Sequence, residues 1–450
     1  MGNIVFAPSP NSGLSLVSST GGEVRTLTTS EAGSASHRFP HHVAGGGALL
    51  FTVGTGGSWD DARIEVLQLD SGKRKVLIEG GSDGRYIPTG HLVYLRAGTL
   101  MAVRFSPGRL ETSGPAVALV EGVLTSTDNT GSPQAAFSEL GSLAYVSGDR
   151  KALDRTLAWV DRKGAEQPIP LPAHFYRDPR ISPDGQRVVL DIDEGNKSDI
   201  WLYDPLRGTL TRRTFNGINA FGSWTPDGRR IAFQSSGAGK AQRGVAWATS
   251  DGSDAGEQLT PSVYNPGGFS WSPDGQVLVF HQFDPGQGRN LWTLSLKEGR
   301  KAQLFLQTPF NESNAEFSPD GRWIAYDSDE SGRDEVYVRP FPGPGGKVLV
   351  STDGGGFPTW SADGHELFYR NGDKMMAVPI TLQPTFHLSK SEVLFERPYL
   401  ITSFYPRSYD VAPDGRRFLM IKENEQVSAA TVINVVLNWF EELKQKLPPN

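Results

Sequence analysis

One short signature, repeated six times, limits what this chain can become. It reads Ile181-Ser-Pro-Asp-Gly185, Trp224-Thr-Pro-Asp-Gly228, Trp271-Ser-Pro-Asp-Gly275, Phe317-Ser-Pro-Asp-Gly321, Trp360-Ser-Ala-Asp-Gly364 and Val411-Ala-Pro-Asp-Gly415. Successive copies begin 43, 47, 46, 43 and 51 residues apart. A period in the forties is that of one four-stranded propeller blade. Pro presets φ in the turn, Asp tolerates the next position, and Gly accepts the left-handed conformation that a bulged hairpin needs. The signature aspartates, Asp184, Asp227, Asp274, Asp320, Asp363 and Asp414, are therefore assigned to turn chemistry and not to catalysis.

Composition agrees with an all-β chain. There are 52 Gly and 31 Pro, too many for long helices to dominate, while 10 Trp, 12 Tyr and 23 Phe supply a core. A net charge of -6 and a pI near 5.8 argue against nucleic acid or an anionic membrane as the main partner. With no Cys there is no disulfide, thiolate metal site or Cys nucleophile. No apolar run approaches the roughly 20 residues of a membrane span, so no membrane insertion by this stretch is expected. The start, Met1-Gly2-Asn3-Ile4-Val5-Phe6, is strand-like and carries no leader, which suggests a fragment of a longer protein.

The predicted fold is a β-propeller of four-stranded antiparallel blades, six clear and about four degenerate. Residues 1–152 hold the degenerate, incomplete blades, including Ala48–Thr52, Arg63–Gln68 and His91–Leu95, and Thr156–Val160 continues their pattern just past the boundary. Residues 153–450 form the six-bladed part. Its last unit shows strands at Tyr409–Val411, Phe418–Ile421 and Val432–Trp439, and Glu166–Pro170 is expected to supply the fourth and close the ring. A single ring of all units is the competing partition. Incomplete N-terminal blades leave strand edges, so a homodimer through that region is expected.

The turns, together with Gly90–Ala102, Trp159-Val-Asp-Arg162, Asn311-Glu312, Glu330–Gly346 and Val435-Val-Leu-Asn-Trp439, resemble TolB-like propellers. They are most similar to the propeller region that follows the transmembrane segment in bacterial membrane serine/threonine kinases. The resemblance spans 1–446 and implies a periplasmic sensor or interaction module. The kinase motifs themselves are absent, which excludes phosphotransfer.

Several groups carry candidate chemistry. Gly80-Gly-Ser82-Asp-Gly84 spells a nucleophile elbow, but Pro88 stops the helix that such an elbow requires, so it reads as a loop. His37, His41 and His42 form the one histidine cluster and are candidate metal ligands. Asp191, Asp193, Glu194 and Asp199, and likewise Asp327, Asp329, Glu330 and Asp334, make acidic hairpin loops read as solvated tips. Residues at the start of each innermost strand should line a central channel. They are His174, Arg177, Asp178, Asn219, Asn265, Asn311, Glu312, Asn314, Glu316, Arg407, Ser408 and Asp410. Carboxylates, amides and guanidinium groups converging there suit a protein or small polar ligand, or Ca²⁺ or another divalent cation.

Three functions follow: a binding or sensing module, a Ca²⁺-dependent hydrolase of lactonase or phosphotriesterase type acting at the channel mouth, and a structural spacer that presents N-terminal surfaces to a partner.

Overall fold

Each Asp-Gly turn is held by the chemistry of its own residues. Ser272 Oγ donates to Asp274 Oδ1 at 2.6 Å, and the same oxygen accepts the Gln276 N–H at 3.1 Å. Gly275 sits at φ 67°, where a Cβ is disfavoured. Asp184, Asp227, Asp320 and Asp363 repeat the pair of bonds. Ala412 lacks the hydroxyl, and Asp414 keeps only the Arg416 N–H. The bonds hold these five paired aspartates, Asp274 included, below the ordinary carboxylate pKa.

The computed structural model describes all residues except 1, 9–11, 30–35, 44, 46, 55–58, 60–61, 126–131, 149–153, 195–197, 216, 237–242, 255, 261–265, 285–287, 298, 383–385, 402–406, 424–431 and 449–450. Among the described residues the strands form antiparallel sheets in the β-propeller manner, and the one long helix is Trp439–Lys446. The chain divides into two compact units, Met1–Leu153 with Glu425–Asn450, and Asp154–Asn424.

The larger unit contains six sheets among its described residues. Their innermost strands, in order, are Tyr176–Ile181, Asn219–Trp224, Gly267–Trp271, Glu312–Phe317, Gly356–Trp360 and Tyr409–Val411. The sheet begun by Tyr409–Val411 continues with Arg417–Glu423, then Arg155–Asp161, then Glu166–Pro168. This corrects the strand expected from Val432–Trp439. The third position belongs to Arg155–Asp161, which pairs with Arg417–Glu423 from Arg155↔Glu423 to Asp161↔Arg417 and sets Trp159 4.3 Å from the Arg417 guanidinium. Apolar side chains fill the spaces between sheets. Phe368, Met375, Phe418 and Met420, all fully buried, seal the fifth sheet against the sixth.

In the smaller unit, Ile433–Val436 pairs with Leu143–Val146 and completes a three-stranded sheet with Ala135–Phe137. Trp439 and Leu443 of the helix anchor that sheet's inner face.

Candidate functional site

Five innermost strands of the larger unit slip register at the same place, and each slip carries a residue with positive φ. These are Asp178 (45°), Phe221 (63°), Gly268 (65°), Asn314 (50°) and Phe357 (59°). A β-bulge re-aims the side chains around it. Phe at positive φ is strained, so its surroundings must hold it. Asp191 does so for Phe221, accepting its N–H at 2.6 Å and that of Gly222 at 3.3 Å. Asp327 accepts the Phe357 N–H at 2.9 Å. The smaller unit uses the same device: Thr52 Oγ1 accepts the N–H of Asp83, whose φ is 51°. Asp191 and Asp327 are thus not solvated tips; both are buried between sheets.

Toward the Asp-Gly turns, four of the expected channel residues meet. Arg407 ion-pairs with Glu316, donates to Thr359 Oγ1, and lies 3.1 Å from Asp410. Asp410 Oδ2 accepts the Ile181 N–H at 2.7 Å, and Glu316 Oε1 accepts the Trp360 N–H at 3.3 Å. Asp178 pairs with Arg180, whose Nη1 donates to the Arg407 carbonyl at 3.1 Å. Strands of four sheets are thereby tied into one buried knot. Burial raises the Asp178 and Glu316 carboxyls above their ordinary pKa values, against the pull of the guanidinium groups. Glu316 and Asp410 together hold Arg407 more firmly protonated than usual.

The other expected residues serve locally. Arg177 donates to Ser198 Oγ at 2.7 Å and lies 3.3 Å from Asp193. His174 sets its ring edge-on to Tyr176 at 5.6 Å. Asn219 donates to Asp199 at 3.1 Å, and Asn311 to Asp329 at 2.7 Å. Glu312 accepts the Thr308 hydroxyl, and Asn314 donates to Asp327 at 2.8 Å. Ser408 donates to the Leu400 carbonyl at 2.5 Å. Asn265 lies outside the described residues.

The metal expectations fit poorly. His37 Nδ1 lies 2.7 Å from Thr28 Oγ1 and its ring rests on Phe51, whereas His41 Nε2 is 3.3 Å from the Tyr86 carbonyl and His42 is exposed. A bulge between Arg38 and His41 separates them. Among the described residues no three His, Asp or Glu side chains are arranged to hold a metal ion. Ca²⁺ takes six to eight oxygens. The carboxylates at the knot already face two guanidinium groups, and a divalent cation would sit against both.

Sequence reasoning missed Arg180, Thr359, His281 and Arg370. Aligning the copies on their turns would have flagged the first two, which stand at the position of Glu316 and Asp410.

With fold and site in view, the chain is an all-β propeller built mostly of four-stranded antiparallel sheets. No family model matches it. It is 24% identical over 201 residues to the uncharacterized peptidase YuxL of Bacillus subtilis, covering 35% of this chain and 30% of that one. It is 29% identical over 205 residues to the uncharacterized protein Atu1656 of Agrobacterium fabrum, covering 43% of this chain and 68% of that one. Among solved structures it is similar to a putative TolB from Agrobacterium tumefaciens, at a TM-score of 0.49 and 16% identity over 60% of this chain and 99% of the other. It is also similar to TolB from Acinetobacter baumannii, at 0.41 and 15% over 76% and 79%.

Proposed function

We propose that this chain is a binding module without catalysis of its own, taking a small polar ligand or a protein segment at the channel end opposite the Asp-Gly turns. One observation supports this reading above others. The carboxylates gathered at the knot are bound by guanidinium groups or backbone N–H groups, so none is free to act as a general base or metal ligand. The resemblance to kinase-linked propellers favours a sensor or interaction role in the periplasm, as part of a longer protein. No helix among the described residues is long and apolar enough to cross a membrane.

The test pairs two assays on one preparation. An ester and phosphotriester panel, run with and without EDTA, is expected to show no EDTA-sensitive turnover. Thermal melts against a panel of sugars, amino acids and organic acids are expected to reveal at least one saturable shift. EDTA-sensitive hydrolysis would replace binding with the hydrolase reading.

A further inference from the structure

In five sheets of the larger unit the second strand places one residue opposite the position just before the bulge. These residues are Asp191, Gln234, His281, Asp327 and Arg370. Three of them reach the following sheet: Asp191 and Asp327 through the bulge N–H groups, and Gln234 through the Pro266 carbonyl at 2.7 Å. His281 and Arg370 instead keep buried ring or guanidinium nitrogens with no partner.

Arg370 is the costlier exception. It is 2% exposed, and its one hydrogen bond runs from Nη2 to the Gly372 carbonyl in its own turn, at 3.1 Å. Nε and Nη1 are buried and unpartnered, and among the described residues no carboxylate makes an ion pair with them, Asp373 acting only from beyond contact distance. Arg180 and Arg407, buried to a similar degree, each have carboxylate partners. An arginine stays charged inside a protein, and a buried charge without a counter-charge is strongly unfavourable.

The surroundings indicate what would compensate it. Tyr409, the Asp373 carboxylate and Tyr399 lie within electrostatic reach of the guanidinium, and both tyrosine rings belong to the apolar cluster of Phe357, Phe395 and Phe418 at the seam of the fifth and sixth sheets. Their hydroxyl protons are already given, Tyr409 to the Phe357 carbonyl at 2.8 Å and Tyr399 to Glu166 at 3.1 Å. A guanidinium with no carboxylate in contact accommodates at most one further negative charge, and an apolar wall with Asp373 beyond it disfavours a dianion.

We propose that Arg370 anchors a carboxylate site at this seam, binding a small monoanionic organic acid through its Nε–H and Nη1–H groups. The proposal rests on the binding reading and gives it a ligand class.

The full chain is titrated with sodium acetate against sodium chloride of equal ionic strength, following melting temperature and heat of binding. Acetate is expected to raise the melting temperature saturably. Arg370→Met is expected to weaken the apparent affinity at least about tenfold and to melt higher than the native chain without ligand, since the uncompensated charge is gone. A native chain indifferent to acetate overturns the proposal. So does an Arg370→Met chain that melts lower without ligand and keeps the acetate response. If Arg370→Met does not fold, Arg370→Gln is held to the affinity criterion. A chain that answers neutral ligands of the panel but not acetate refutes the carboxylate site alone and leaves the binding reading standing.

Discussion

The Asp191 carboxylate accepts the Phe221 N–H at 2.6 Å, tying the second strand of one sheet to the bulge of the next. The bond holds a Phe at positive φ, and Asp327 does the same for Phe357. Side chains that resemble channel chemistry in the sequence are here the joinery between blades.

Burial, with Asp178 nearby, raises the Asp191 carboxyl above its ordinary pKa. The folded protein then keeps a proton that the unfolded chain loses above about pH 4. Its contribution is full below that pH and declines as pH rises through the folded value. Stability should therefore fall from about pH 5 to about pH 8 by urea denaturation. Asp191→Asn, fixed in the uncharged form, should lessen the slope; an unchanged slope would assign it to other groups. Asp191→Ala should cost about 1–3 kcal/mol at any pH by stranding buried N–H groups.

Removing Arg407 leaves Glu316 and Asp410 buried without their shared cation. Arg407→Met is expected to lose about 3–5 kcal/mol in urea unfolding. Adding Glu316→Gln should recover part of that loss, so the double variant costs less than the sum of the singles. Strict additivity would show that the two residues do not act as a unit.

Asp274 makes its side-chain hydrogen bonds within its own turn, with Lys297 3.9 Å away at the surface. Asp274→Ala should cost about 1 kcal/mol and leave every ligand response of the chain unchanged. A lost ligand response would give the turn a role beyond structure.

Trp439 is 1% exposed and anchors the sheet completed by Ile433–Val436. Trp439→Ala should cost about 3–5 kcal/mol, confined to the smaller unit. Calorimetry should show one transition moving down while the transition of Asp154–Asn424 stays in place.

The propeller architecture was legible because its turns are local: Pro, Asp and Gly declare their geometry within five residues. Strand order at the closing sheet was not. Thr156–Val160 and Val432–Trp439 are both alternating apolar strands, and only register against Arg417–Glu423 separates them. At the site, the sequence pointed to Asp178, Glu316, Arg407 and Asp410 by position, and the structure gathers these four. It could not show that Arg180 and Thr359 complete them, nor that Asp191 turns inward, because burial depends on sheets far apart in the chain. Arg370 was hidden for the same reason: an arginine on a strand looks solvated until the neighbouring seam is seen.

Because Ile433–Val436 returns to Leu143–Val146, the smaller unit is written in two pieces with all of Asp154–Asn424 between them. During synthesis its last sheet must wait, one strand short, until the ribosome has finished the other unit entirely. The nascent chain thus carries Leu143–Val146 as an unfinished β-edge through most of its translation, an interval in which that strand is open to mispairing.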